Sequence, residues 1–382
     1  MVSSSCFLPV FLTGAFAVQM RADLGFGVGQ LGFTVFVFFM ASALASALLG
    51  RLIERIGSRW GMRLAAAFAT TSLIGIASVA QEWVHLVGAL VVGGVGNAAA
   101  HPSTHLLLAR AISRPRQGLA FGLKQAATPA ATLLSGLAAP LVAVTVGWRW
   151  GFAGAALMVA IIGSLVREGD DLCARAADGG DAGPTRPVWR VRGLLPPLLL
   201  PAMGIGLGSA AGVSFAAFLV ESSVASGVDE AAAGTLLAAA SASGFLGRVL
   251  AGWLADHCPA RHLHVVAAML VAGAAGYSLL ATGAGPPVLV VAALLAFGAG
   301  WGWPGVFHFA IVSHFRGAPA AATGVTQTGS YLGSATGPLA FGLVASQWSY
   351  SAAWFTSAGL ALLAAAAMLS TRPILRRRLA EP

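Results

Sequence analysis

The fold is decided by residues 50–59, Gly50-Arg51-Leu52-Ile53-Glu54-Arg55-Ile56-Gly57-Ser58-Arg59. Long apolar stretches flank this charged run, 27–50 before it and 62–80 after it. A bilayer-spanning helix takes about 20 mainly apolar residues, and both stretches qualify. The run therefore reads as a loop between two membrane helices. Its core returns 202 residues later as Gly252-Trp253-Leu254-Ala255-Asp256. The same offset carries Pro102 onto Pro304, Gly122 onto Gly324 and Gln125 onto Gln327. One constant shift over so many landmarks marks an internal repeat.

Composition agrees with a membrane setting. Of 382 residues, 57% are apolar and 9% charged, against about 25% charged in an ordinary soluble protein. So few charges cannot coat a soluble protein of this size, which excludes a soluble enzyme. Cys6, Cys173 and Cys258 are too few and too scattered for a disulfide framework. No positive charge precedes Arg21, so the first apolar run is expected to remain as a helix rather than be cleaved as a signal peptide.

Twelve spans are expected, near 3–21, 27–50, 62–80, 84–109, 118–145, 150–166, 194–220, 229–255, 263–282, 287–313, 320–345 and 351–370. With the N-terminus inside, the inner loops and C-terminal tail hold 18 arginines and the outer loops hold Arg21 and Arg149. This asymmetry satisfies the positive-inside rule and puts both termini in the cytoplasm. It also accounts for the net charge of +9 without a nucleic-acid partner. Residues 167–192 hold ten charged residues among Gly179, Gly180, Gly183, Pro184 and Pro187, as a solvated linker would. The expected organisation is an N-terminal six-helix bundle over 1–166, a cytoplasmic linker over 167–192, and a C-terminal bundle over 193–382 with a short basic tail. A parallel repeat around a midplane site is a transporter architecture.

The run at 50–59 resembles the signature loop of the major facilitator superfamily, G-x-L-x-D-R-x-G-x-R. Glu54 takes the place of the usual Asp, and Pro259 stands where the second copy would carry Gly. The resemblance spans the whole chain. It implies an all-α integral membrane fold of twelve transmembrane helices in two pseudo-symmetric six-helix bundles. It also implies gating roles for Gly50, Glu54, Arg55, Gly57, Arg59, Gly252 and Asp256. Physically, such a carboxylate can cap a neighbouring helix N-terminus. The arginines also serve simply as topology determinants.

Ionisable groups inside spans are costly and point to function. Arg248 lies in span 8, and Arg248-x-x-x-Gly252 resembles span 8 of monocarboxylate transporters, where an Arg holds the substrate carboxylate. Bidentate pairing makes that chemistry sensible, while snorkelling to the inner face is the plainer reading. Lys124, the single lysine, sits in span 5 beside Gln125, with Thr128, Thr132 and Ser135 at helical spacing. Phe121-Gly-Leu-Lys-Gln125 together with the Arg248 motif resembles cyanate-permease-like members. Span 11 presents Thr323, Gln327, Ser330 and Ser334 on one face. Its Gly329, Gly333, Gly337 and Gly342 read mainly as a close-packing face.

Span 4 carries Asn97, His101 and His105 on one stripe, and His308 lies in span 10. Histidine titrates near neutral pH and suits proton coupling, although interhelical hydrogen bonds are an equally ordinary use. His101-x3-His105 lacks the Glu of a zinc motif, since Pro102 follows the first His. Glu221, whose repeat mate is Gln19, is the acidic candidate for proton exchange, and Arg21 and Asp23 read as a rim pair. His257, Cys258, His262 and His264 lack the ordered spacing of a metal site. Trp148, Trp150, Trp301, Trp303 and Trp348 read mainly as interfacial anchors, and Trp301 is also a candidate cavity wall.

The expected function is secondary active transport of a small solute by alternating access, probed by Arg248, Lys124, Gln125, Gln327, Asn97, His101, His105, His308 and Trp301. The solute is expected to be anionic, a monocarboxylate or an ion such as cyanate or nitrate. Coupling to protons is expected through Glu221, His101 or His308. No cofactor or metal is expected, and the partners are a small-molecule substrate and the lipid of the cell membrane around a monomer. The alternative is a proton-driven multidrug antiporter. Against it, span 5 lacks the Gly-x3-Gly-Pro arrangement and the first half has no mid-span acid. A non-transporting sensor or a membrane enzyme would need a soluble domain, a nucleophile–base pair or a metal cluster, and none is evident.

Overall fold

The computed structural model describes residues 2–111, 117–166, 195–257, 262–315 and 319–380. The side chains at 47, 54, 101–111, 117, 195, 319–321 and 374–380 lie outside that description. All regular structure among the described residues is helical. Lipid leaves no water to satisfy a sheet edge, so helices are the natural solution. The helices form twelve spans in two pseudo-symmetric bundles of six.

Among the described residues, eight segments are long and apolar enough to cross a membrane by length and composition alone. The remaining spans are short, broken or more polar. Span 1 is divided into Val2–Ser5, Leu8–Ala15 and Ala17–Leu24. Span 6 is Trp148–Ser164. Span 10 is split into Pro286–Gly298 and Pro304–His314. Span 11 is Pro319–Gln347, whose polar face dilutes its hydropathy.

The charged run at 50–59 differs from expectation. It is not an irregular loop. Spans 2 and 3 form a nearly continuous helix, Val28–Ser78, whose reversal is concentrated at Gly57 with φ 85° and ψ 163°. Residues 51–56 contain no helix breaker, so the helix runs on until the one residue that tolerates this backbone. Spans 5 and 6 turn in the same way at Gly147, with φ 99°.

Small residues set the helix spacing. Gly329, Gly333 and Gly337 of span 11 lie against the backbone of Ala202, Gly206 and Ala210 in span 7. A Cβ at Gly337 would come within 2.5 Å of Ala210 Cα. Gly342 continues the row on the other bundle, meeting Val28 and Gly32 of span 2. Without a hydrophobic drive between helices in lipid, such close approach supplies the packing energy.

Three rim expectations are corrected. Arg21 does not pair with Asp23; its guanidinium binds Glu221 of the other bundle. Asp23 instead accepts from Trp148 Nε1 at 2.7 Å and meets Arg149 at 3.3 Å. Trp148 and Trp303 are buried core residues rather than anchors at the interface, whereas Trp150 and Trp348 are exposed.

Leucine at Gly333 should lower the thermal midpoint of the purified protein in detergent, by the equivalent of about 1–3 kcal/mol for overpacking. Leucine at Gly359, where nothing lies within 4 Å of an added Cβ, should leave the midpoint close to that of the unmodified chain. Fluorescence-monitored melting of both variants checks this.

Candidate functional site

A proline decides the local structure of span 5. Pro129 has no N–H, so the carbonyl four residues earlier, at Gln125, loses its helical donor. The helix breaks there into Gln117–Gln125 and Ala127–Ala138. The freed Gln125 carbonyl accepts from Arg248 Nη1 in span 8. Span 10 is interrupted between its two helices, and the Trp301 carbonyl in that interruption accepts from Arg248 Nε at 2.9 Å. Pro304 likewise cannot serve the Gly300 carbonyl, which accepts from Trp303 Nε1 at 2.8 Å instead. Arg248 is only 2% exposed, and its guanidinium lies 5.0 Å from the centre of the Trp301 ring. It does not snorkel to the surface. Among the described residues, no carboxylate reaches it.

Arg248 and Trp301 line a small cavity of about 50 Å³ that is partly open to the outside. The cavity is bounded by spans 1, 2, 5, 7, 8, 10 and 11 from both bundles. Three pairs of its walls obey the repeat offset: Phe7 with Ser209, Gln125 with Gln327, and Thr128 with Ser330. The two-fold relation between the halves thus extends into the site. Arg248 breaks it, because its repeat mate is Ser46, whose hydroxyl bonds to Ala43 in its own helix.

The other candidates are placed as follows. Gln125, Gln327 and Trp301 line the cavity. His308 is buried behind it; Nδ1 donates to the Pro304 carbonyl at 2.7 Å and lies 3.2 Å from the Gln125 amide. Lys124 is half-buried and outside the cavity wall. Asn97 is fully buried away from the cavity and donates to Ser42 at 3.1 Å. The side chains of His101 and His105 lie outside the described residues. Thr132 and Ser135 are buried and bond to their own helix backbone. Glu221 sits far along span 7, bound by Arg21 and reached by Tyr350 Oη at 3.4 Å.

Sequence reading missed Phe7, Phe39, Ser209, Val213, Pro304 and Tyr331 as walls. Phe7 and Ser209 are repeat mates, but neither carries a signal in the sequence that marks it as a wall.

Of the signature residues, Asp256 has the most definite geometry. Its carboxylate accepts the backbone N–H groups of Gly118 at 2.7 Å and Leu119 at 2.9 Å. Those groups open the first helix of span 5, so a negative charge meets unsatisfied donors at a positive helix end. Gly118 makes room, since a Cβ there would come within 2.6 Å of the carboxylate. Gly122 and Gly252 lie face to face beside this cap, 3.1 Å from an added Cβ on Gly252 to Gly122 Cα. Glu54 has no described side chain, Arg55 is exposed, and Gly50 has nothing within 4 Å of an added Cβ. Arg59 and Arg63 both lie over the Trp60 ring, at 5.9 and 5.3 Å.

Among the described residues, different contacts join the helices on the two faces. On the face away from the termini, Arg21–Glu221 joins span 1 to span 7, and Gly32 meets Pro338 across spans 2 and 11. On the face of the termini, spans 5, 8 and 10 are sealed by Asp256 and the glycines around Gly122. Gly50 of span 2 and Gly324 of span 11 face open space there.

The Major Facilitator Superfamily model matches residues 2–220 and 192–381. The chain belongs to that superfamily. It is a multi-pass membrane transporter of small molecules, working by alternating access, and not an enzyme. Its fold is similar to a crystal structure of a mutant of the nucleoside transporter NupG, at 14% identity and a TM-score of 0.73, over 97% of this chain and 98% of that one. It is also similar to the partially occluded inward-open xylose transporter XylE from E. coli, at 16% identity and a TM-score of 0.73, over 97% of each chain. No curated protein matches the sequence.

Alanine at Asp256 should lower stability by about 1 kcal/mol, the usual worth of a lost helix cap. Asparagine there keeps an acceptor but loses the charge, and should fall between alanine and the unmodified chain. Thermal melts of the two variants measure the ordering.

Proposed function

We propose that this transporter moves a small organic or inorganic anion, held in the central cavity by Arg248. The observation that carries the reading is a buried guanidinium at the seam between the bundles, anchored by two carbonyls and offered no carboxylate among the described residues. A buried charge without an opposite partner costs several kcal/mol. An anionic cargo relieves that cost on binding, and a cationic one increases it. Bidentate pairing also fixes the cargo's orientation. The monocarboxylate and cyanate subtypes rest on this arginine and on the motif around it; the named structural relatives carry a nucleoside and a sugar. The same charge argues against a cationic-drug antiporter.

Gln125 and Gln327 orient the bound anion from the two bundles. Lys124 adds positive potential near His308 without touching the cargo. Symport with protons is assigned to Glu221, His308 and His101. Protonation of Glu221 would release Arg21 and open the face away from the termini, which the arginine distribution makes the outer face of the plasma membrane, with both termini in the cytoplasm. The domain boundaries proposed are 1–166 and 193–382, joined by a cytoplasmic linker.

The test is thermal stabilisation of the purified protein by a panel of small anions and amphipathic cations at two pH values, repeated with Arg248→Gln. One anion class should stabilise the unmodified chain, and the variant should need at least about tenfold more of it, the worth of a charged hydrogen bond. Stabilisation by lipophilic cations, unchanged in the variant, would reject the anion reading. In proteoliposomes, Glu221→Gln should abolish the dependence of uptake on an imposed pH gradient.

A further inference from the structure

The repeat offset allows the two seams between the bundles to be compared contact by contact. One seam joins spans 5 and 8, the other spans 2 and 11. At the face away from the termini both are in contact. Gly136 lies against Gly234 and Ala238, and the repeat mates Pro338 and Gly32 touch in the same way. At the face of the termini the mates differ. Gly122 and Gly252 lie against each other, 3.1 Å from a Cβ added to Gly252 to Gly122 Cα. Their mates are Gly324 and Gly50, and neither has a described atom within 4 Å of an added Cβ. Glycine stands at all four positions, so the cause lies in what surrounds them.

Three ties hold spans 5 and 8 at this end. Asp256 accepts from Gly118 N–H at 2.7 Å and Leu119 N–H at 2.9 Å. The mate of Gly118 is Ala320, which carries the Cβ that at Gly118 would come within 2.6 Å of the carboxylate. Arg248 of span 8 donates to the Gln125 carbonyl of span 5, whereas its mate Ser46 bonds to Ala43 in its own helix. Gly305 of span 10 also packs on Gly122, 2.8 Å from an added Cβ to Gly122 Cα, and its mate is Ser103. Span 11 is anchored further along, on span 7, where Gly329 and Gly333 meet Ala202 and Gly206 and the hydroxyls of Ser209 and Ser330 lie 2.9 Å apart on the cavity wall. Gly324 lies beyond that anchorage, toward the face of the termini.

We propose that the entrance on the face of the termini opens at spans 2 and 11 while spans 5 and 8 are still joined, and that Gly50 and Gly324 come together when it closes. Packed helix seams switch between discrete arrangements. A pair of glycines facing open space adds no packing in this arrangement, and suits a backbone contact made in another, as its mates already show. The inference is independent of what the cargo is.

The experiment measures spin-label distances by double electron–electron resonance in the full-length protein in lipid nanodiscs, with Cys6→Ala, Cys173→Ser and Cys258→Ser as background. Labels at Leu48→Cys and Thr328→Cys report on spans 2 and 11, and labels at Leu123→Cys and Leu250→Cys on spans 5 and 8; all four side chains are exposed. Both pairs are also measured in Arg21→Ala, which removes the contact to Glu221 on the opposite face. The first pair should give two distances whose ratio changes in Arg21→Ala, and the second a single distance in both proteins. Two distances from both pairs, or one unchanging distance from the first, overturns the proposal. Gly324→Leu should remove the shorter distance of the first pair and leave the melting midpoint in place, whereas Gly122→Leu should lower the midpoint by several degrees. The melts need no labels or cysteine replacements, and an equal drop in both glycine variants overturns the proposal as well.

Discussion

A guanidinium that cannot shed its proton is buried at the centre of this molecule, and much else is arranged around it. Arg248 is held in place by carbonyl groups that helix interruptions have released. A carboxylate would have neutralised it; carbonyls only position it. The charge therefore keeps no carboxylate partner among the described residues. The broken helices of spans 5 and 10 are expensive in lipid, where every backbone group must find a partner. Here the partners are the arginine and a tryptophan of the same region, so the irregular backbone is satisfied by the groups that shape the cavity.

Around that centre the packing is governed by absence of side chains. Glycines bring span 7 onto span 11 and span 5 onto span 8. Both contacts bear on the site, one by fixing the hydroxyl wall and the other by bringing Gly122 against the backbone of Arg248. The contact of span 5 with span 8 is also where Asp256 caps the helix at Gly118. That cap consists of charge-assisted hydrogen bonds to a helix end, so it is strong when formed and breaks as a unit when the helices part. A junction with those properties suits a protein that must hold two shapes.

Much of this was legible in the sequence. Apolar runs gave the spans, and the constant offset gave the repeat, because both are properties of neighbouring or periodic residues. Arg248, Gln125, Gln327 and Trp301 could be singled out because polar or aromatic groups stand out in apolar helices. What could not be read was partner choice over long separations. Glu221 takes Arg21 because the two bundles meet there, although Asp23 is only two residues from Arg21 in the chain. Asn97 and His101 shared a stripe on paper, yet Asn97 faces Ser42 within its own bundle. The charged run at 50–59 suggested a loop by composition, but a reversal needs only one permissive residue, and Gly57 supplies it. The role of Pro129 in releasing the Gln125 carbonyl was in principle readable, since the four-residue relation is fixed by helix geometry.

The paired walls of the cavity carry one more implication. Gln125 and Gln327 give the two bundles the same group at related places, and Thr128 and Ser330 give each a hydroxyl. Ser46 stands where a second arginine would make the charges symmetric too. With Arg248 alone, one bundle carries the charge and the other does not. The duplication that built the paired walls thus leaves, through one unmatched side chain, a cavity whose two halves are alike in some hydrogen-bonding groups and unlike in charge.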